Sequence, residues 1–108
     1  LVIRGDRQGI CLAVLAANAQ LNLKALARLG DDRKMQPVAL KEVQPLTGYI
    51  RGGVTALACK KNYPTSVDEW MEAHDQIAVS AGVRGAMIWL NPQDYIRATQ
   101  ATVGAIIL

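Results

Sequence analysis

The chain has 108 residues, of which 51% are hydrophobic and 19% are charged, a composition typical of an ordinary globular domain that excludes a disordered chain. No apolar run approaches the ~20 residues that span a bilayer, and no secretory signal is visible. Residues 1–61 carry ten Lys or Arg and four Asp or Glu, a net charge of +6, whereas residues 62–108 carry two and five, a net charge of −3. The basic half is able to attract a phosphate backbone, although a solvated surface explains the same charges.

The cysteines and the single histidine argue against a metal site. Cys11 and Cys59 do not belong to a Cys-x-x-Cys pair, and His74 is the only histidine. A structural zinc site normally needs four Cys or His ligands, and two separated cysteines do not make a disulfide framework. We therefore expect no metal, no cofactor and a reducing cytosol.

The first half of the chain begins with a predicted hairpin. Strands are expected over residues 1–4 and 10–16, with turn residues between them at 5–9. Asn22 is a suitable N-cap for the helix that follows, and Gly30 is suited to end it.

The remaining elements are predicted by apolar runs and turn residues. They are a short strand at 35–38, a short helix at 39–46, strands at 64–67, 77–79, 86–90 and 104–108, a turn or helix at 68–74, and a helix that starts after Asn91 and runs to about Ala98. Strands and helices are mixed, with several hairpins. The sequence therefore predicts one mixed α/β or α+β domain built around a curved sheet.

Two short segments contain residue types suited to binding. Gly48, Gly52 and Gly53 lie within seven residues, just before Lys60 and Lys61. Exposed backbone groups in such a loop are able to hold a ligand, but a tight corner of the sheet would need the same glycines.

The second segment is the end of a buried strand at Ser80, where a hydroxyl is able to face a pocket, although a plain strand-end serine is at least as consistent with the sequence. A nucleophilic Cys59 with His74 as its base is conceivable, but Cys59 also reads as a small core residue and His74 as solvated. Trp70 and Trp89 are expected to fill the core or an edge of the sheet rather than stack on bases.

Four blocks of the sequence resemble one known family. Residues 46–61, Leu-Thr-Gly-Tyr-x-x-Gly-Gly-x-x-x-Leu-x-x-Lys-Lys, resemble the central signature of the YbaK/ProX-type aminoacyl-tRNA deacylases. Residues 79–85 resemble their second signature, residues 91–95 match their final helix start, and the helix around residues 23–27 also fits. The resemblance extends over essentially the whole chain.

The resemblance implies a fold and an activity. It implies a single domain over residues 1–108, with a curved, partly barrel-like mixed sheet and short flanking helices. It implies a trans-editing enzyme that removes a mischarged amino acid, cysteine in the most similar branch, from tRNA(Pro). In that branch the sulfur of the substrate itself attacks, and the enzyme supplies positioning. The implied partners are the CCA end of a mischarged tRNA and prolyl-tRNA synthetase, with no DNA and no membrane, in the cytoplasm.

The resemblance also implies site residues by position. Gly52 and Ser80 would be the catalytic positions, with the Gly52 backbone against the substrate and Ser80 in the amino-acid pocket. The substrate-binding positions would be Gly53, Thr55, Lys60 and Gly82.

The chain departs from the family pattern at several of these places. Thr55-Ala56 replaces the usual Ser-Pro, Ala58-Cys59 replaces Gly-Gln, and Met87 stands where some members carry Asp. The key lysine of the family would fall two residues before Leu1, so we expect that the N-terminal part of the domain is missing. These departures keep open a second interpretation, a non-catalytic tRNA- or nucleotide-binding module on the same fold.

Overall fold

A computed structural model of the chain describes residues 1–49, 55–57 and 62–108. The strands are β1 (Val2–Gly5), β2 (Gly9–Val14), β3 (Met35–Pro37), β4 (Thr65–Asp68), β5 (Ile77–Ser80), β6 (Met87–Leu90) and β7 (Thr102–Gly104). The α-helices are α1 (Leu23–Leu29), α2 (Val43–Thr47) and α3 (Pro92–Thr99), and short 3-10 helices lie at Leu40–Glu42 and Glu69–Ala73. In the part of the chain that is described, no helix is long and apolar enough to cross a bilayer.

The strands form two sheets. Five of them make a mixed sheet in the order β3-β1-β2-β4-β7, in which β2, β4 and β7 run parallel and the other pairs are antiparallel. Among the residues at 1–49, 55–57 and 62–108, the other two strands, β5 and β6, pair only with each other. The predicted α+β class with a mixed sheet is therefore confirmed, although a separate hairpin stands beside the main sheet.

The predicted hairpin at the start of the chain is present, and the side chain of Asp32 accepts hydrogen bonds from its turn. β1 pairs with β2 so that Ile3 lies opposite Cys11. Asp32 Oδ1 accepts the backbone N–H groups of Arg7 and Gln8, each at 2.8 Å. The carboxylate thus satisfies two donors that the turn leaves without strand partners.

Both predicted helix starts are correct, and each helix packs on its own core. Asn22 Oδ1 accepts the Ala25 N–H at 3.1 Å at the start of α1, and Asn91 Oδ1 accepts the Gln93 N–H at 2.8 Å at the start of α3. α1 buries Leu26 and Ala27, and Leu26 joins a cluster with Ile3, Cys11, Ala13 and Ile106.

Tyr95 on α3 belongs to a second core cluster with Val67 and Val79. This second cluster attaches the β5–β6 hairpin to the main sheet, because Val67 lies on β4 and Val79 on β5.

The end of the chain differs from the prediction of a strand at 104–108. The strand is β7 at Thr102–Gly104, which pairs in parallel with β4, and beyond it Ile107 makes only an isolated bridge with Leu21. The N–H of Ile106 is taken by the side chain of Asp68 rather than by a neighbouring strand.

Candidate active site

A cavity of about 590 Å³ lies between the main sheet and the β5–β6 hairpin. One wall is formed by β2 and the residues that follow it, with Leu12, Ala13 and Val14 among its members. A second wall is formed by the end of β4 and the 3-10 helix after it, and the third is the hairpin. The volume is in the range of sites that hold small-molecule ligands.

The register of the hairpin determines which side chains of β6 face the cavity. Ala78 pairs with Trp89 and Ser80 pairs with Met87, and these four residues all line the cavity. Side chains alternate along a strand, and Val79 packs into the core with Val67 and Tyr95. β5 lines the cavity along its whole length, with Ile77 and Val79 included, whereas β6 lines it only through Met87 and Trp89.

Ser80 is the polar residue that the hairpin contributes to the cavity wall. Its Oγ is buried and has no hydrogen-bond partner among the residues that the structure describes. A buried hydroxyl without a partner costs about 1–3 kcal/mol relative to a paired one. A bound ligand with a polar atom at this point would remove that penalty.

Thr55 and Ala56 also reach the cavity wall. Thr55 is 6% exposed, and its Oγ1 accepts the Leu57 N–H at 3.3 Å. The sequence-predicted residues Thr55 and Ser80 therefore line one cavity.

Gly82 lies elsewhere, in the turn between β5 and β6. Its φ is +95°, and a β-carbon there would lie 3.0 Å from Cε1 of Tyr49. Gly82 is not among the described residues that line the cavity, and its role in binding the substrate stays a prediction. Gly52, Gly53 and Lys60, together with Cys59, lie outside the described residues. Gly48 is described, and it is the left-handed residue that ends α2.

Sequence reasoning missed the acidic group of the cavity wall, Asp68. This residue is 4% exposed, and its carboxylate accepts the backbone N–H groups of Trp70 and Ile106, each at 3.2 Å. It lines the cavity together with His74, which is exposed as predicted. The signal available in the sequence was a carboxylate placed directly after the strand predicted at 64–67.

Neither tryptophan lies in the core, whereas the alternative expectation of a sheet edge fits Trp89, which lies on β6 of the two-stranded sheet. Trp70 is 64% exposed and Trp89 is 68% exposed, and both line the cavity. Trp70 follows Asp68 in the 3-10 helix, and Trp89 stands on the cavity face of β6. The mouth of the cavity is therefore aromatic on two sides.

The charges and nucleophiles of the cavity wall are few. Among the described residues that line it there is no Lys or Arg, and Asp68 and His74 are the only ionisable side chains apart from Tyr95. Cys11 is packed in the core, where burial, with the nearby Asp32 carboxylate, raises the pKa of its thiol and keeps it protonated. No group of three or more His, Cys, Asp or Glu in the described ranges is placed to hold a metal ion.

Comparison with known proteins shows which family the chain resembles. The family model of the aminoacyl-tRNA editing domain matches residues 1–98. A protein of Enterococcus faecalis with the provisional name Cys-tRNA(Pro)/Cys-tRNA(Cys) deacylase EbsC is 37% identical over 106 residues, which are 98% of this chain. The chain spans about 65% of the length of that relative.

Solved structures show the same fold at low sequence identity. A crystal structure assigned provisionally as a trans-editing enzyme for prolyl-tRNA synthetase matches all of this chain and 68% of its own, with a TM-score of 0.92 at 24% identity. The crystal structure of a hypothetical protein, APE2540, matches all of this chain and 71% of its own, with a TM-score of 0.91 at 24% identity. With the family model matched over residues 1–98, the chain belongs to the aminoacyl-tRNA editing domain family.

Proposed function

We propose that the protein is a trans-acting aminoacyl-tRNA deacylase, which cleaves the ester between a wrongly attached amino acid and the 3′ end of a tRNA. The observation that carries the proposal is the cavity at Ser80, whose buried hydroxyl has no partner among the described residues, in a chain of the editing-domain family. The name of the Enterococcus relative supports cysteine as the amino acid and tRNA(Pro) or tRNA(Cys) as its carrier.

The walls of the cavity suit the aminoacyl end of the substrate. The side chain of a small amino acid would meet the apolar side chains of Leu12 and Val14 on β2. Its α-ammonium group would be attracted by the carboxylate of Asp68, the one acidic side chain of the described wall. The Ser80 hydroxyl, which has no partner among the described residues, would donate a hydrogen bond to an ester or ribose oxygen.

The described wall offers positioning rather than a protein nucleophile. Ser80 has no base hydrogen-bonded to it among the described residues, whereas a nucleophilic serine needs one. We propose a substrate-assisted reaction, in which the cysteine sulfur bonds to the ester carbonyl carbon and the bond from that carbon to the ribose oxygen breaks. The thiol proton passes to the leaving ribose oxygen, so the products are a free ribose hydroxyl and a cyclic thioester of cysteine. Holding the two reacting atoms together is worth up to ~7–11 kcal/mol in ideal intramolecular cases.

The other predicted site residues keep their proposed roles. Gly52 would place its backbone against the substrate, Gly53 would allow the close approach, and Lys60 would contact a phosphate or ribose. The proposal includes the CCA end of the tRNA as the bound segment, prolyl-tRNA synthetase as a partner, and a cytoplasmic location.

A second candidate is a non-catalytic module that binds tRNA or nucleotides in the same cavity. It is favoured by Met87, an apolar side chain on the cavity face of the hairpin where some family members carry an acid. The two candidates differ in whether the ester survives.

The test is to incubate the full-length protein with tRNA(Pro) charged with cysteine, alanine or proline, and with cysteinyl-tRNA(Cys), and to count the remaining ester. We expect loss of cysteine well above the rate in buffer and no loss of proline. Binding of these tRNAs without loss of any noncognate amino acid would support the binding module and overturn the deacylase.

A further inference from the structure

We infer that Trp70 and Trp89 form a stacking platform for the bases of the unpaired 3′ end of the tRNA, at the mouth of the cavity that holds the ester. The inference rests on the proposed function in its choice of ligand, and it adds two binding residues. Its starting point is that the two large aromatic side chains of the cavity mouth are about two-thirds exposed, at 64% and 68%.

The position of Trp89 fits the spacing of a nucleic acid strand. Trp89 pairs with Ala78, and two residues away Met87 pairs with Ser80 on the same face of the hairpin. Two residues of a strand span about 7 Å, so the ring of Trp89 is set about that far along the hairpin from the Ser80 pair. Stacked bases repeat at about 3.4 Å, so an ester at Ser80 leaves the last one or two bases level with Trp89.

Trp70 forms the second side of the mouth, on a different element. Its backbone N–H is fixed by Asp68 Oδ2 at 3.2 Å, which sets the start of the 3-10 helix that carries the ring. Side chains from two elements thus frame one opening, and an aromatic ring on either side accepts the face of any base.

The carboxylates near Trp70 lie outside the cavity wall. Glu69 and Glu72 are exposed on the 3-10 helix that carries Trp70, and the Glu72 carboxylate accepts a hydrogen bond from Gln93 Nε2 at 2.9 Å. None of the described residues lining the cavity is Lys or Arg, so the mouth offers aromatic rings to a base rather than cations to a phosphate. Stacking of this kind accepts any base, and the 3′ end of the tRNA is the single-stranded segment that the ester brings to the mouth.

Tryptophan fluorescence tests the platform directly, because Trp70 and Trp89 are the two tryptophans of the 108 residues. The probe is an uncharged RNA hairpin with a 3′-CCA overhang, so no ester and no chemistry are involved. We expect the emission to be quenched as the hairpin binds. The same hairpin with abasic sugars at the three overhang positions should bind more weakly and leave the emission unchanged.

Substitutions assign the effect to each ring. Trp89→Ala and Trp70→Ala should each weaken binding of the CCA hairpin by about 5- to 100-fold, the range expected for loss of one stacked base. Trp89→Phe should retain most of the affinity and Trp89→Leu should not, because leucine is apolar but offers no ring. Ile88→Ala, on the opposite face of the same strand, is the matched control and should bind like the wild type.

Three results would overturn the inference: unchanged emission at saturating hairpin, equal binding of the abasic hairpin, or full affinity in Trp89→Leu. Emission that depends on protein concentration without RNA would show that the rings contact a second copy of the protein instead. Failure of the deacylase proposal is separate, since it would leave the ester intact while the quenching by uncharged RNA persisted.

Discussion

Asp68 and Ile106 are joined by a buried hydrogen bond, in which Asp68 Oδ1 accepts the Ile106 N–H at 3.2 Å. The other oxygen, Oδ2, accepts the Trp70 N–H at the same distance. One carboxylate thus ties the end of β4 to the C-terminal segment and to the 3-10 helix at the cavity mouth. Both oxygens face N–H donors, so the site requires a group with two acceptors.

Asp68→Asn should destabilise the protein, because the amide replaces one acceptor with an NH₂ that faces another donor. We expect a loss of about 1–3 kcal/mol in the free energy of unfolding, measured by urea denaturation. The matched control Asp75→Asn makes the same chemical change at an exposed residue and should stay within about 0.5 kcal/mol. Equal effects of the two substitutions would show that the two hydrogen bonds contribute little to stability.

Ser80→Ala should separate activity from stability. Because the Ser80 Oγ has no described partner, its removal should leave the free energy of unfolding unchanged or slightly raised. Deacylation should fall about 10- to 100-fold if the hydroxyl stabilises charge on the substrate oxygen. The control is Ser66→Ala, a buried serine on β4 outside the cavity wall, which should keep its activity per folded molecule. Full activity in Ser80→Ala would remove this residue from the site.

The elements that sequence predicted best are those with local signals. Asn22 and Asn91 cap α1 and α3 as expected, because a cap depends on an oxygen and an N–H two or three residues apart. The parallel pairing of β4 with β2 and β7 was not predicted, since it joins residues far apart in sequence and depends on packing.

Some residues of the candidate site could likewise be predicted from the sequence, and others depend on how the strands pack. Ser80 was placed by family resemblance, and the structure shows it on the cavity face, with Thr55 on the same wall. Trp89 was expected in the core or at an edge because large apolar residues are usually buried on average. Its exposure follows from the hairpin register, which gives the core face to Val79 and the opposite face to Trp89.

Acid should weaken the hydrogen bonds that join Asp6, in the turn between β1 and β2, to the backbone of residues 33 and 34. Asp6 Oδ1 accepts the backbone N–H groups of Lys34 and Arg33, and these bonds, with Lys34 first, lower the pKa of the Asp6 carboxyl. A carboxyl whose pKa is lower in the folded than in the unfolded state stabilises the fold above the unfolded pKa. That stabilisation is lost as the pH falls through the lowered folded value.

We therefore expect the wild type to lose more stability than Asp6→Asn between about pH 5 and pH 2, because asparagine keeps an acceptor oxygen that does not titrate. Urea unfolding at several pH values measures the difference. Parallel curves for the two proteins would mean that Asp6 does not contribute to the acid dependence.

Gly82 and Gly85 offer a matched pair in the β5–β6 turn. Both have positive φ, +95° and +84°, which an alanine adopts only with strain. A β-carbon at Gly82 would lie 3.0 Å from the Tyr49 ring, whereas one at Gly85 would meet nothing within 4 Å. The Tyr49 ring has little freedom to move aside, since its hydroxyl donates to the Leu57 carbonyl at 2.9 Å.

Gly85→Ala should cost about 1 kcal/mol of unfolding free energy from backbone strain, and Gly82→Ala should cost about 1–3 kcal/mol more because of the added contact. Equal losses would show that Tyr49 yields easily. Measured on the same samples, deacylation per folded molecule tests the substrate role predicted for Gly82 from the sequence. If Gly82 only packs on Tyr49, both variants should keep their specific activity. A loss of activity in Gly82→Ala alone would mean that the Tyr49 contact, or Gly82 itself, positions the substrate from outside the described cavity wall.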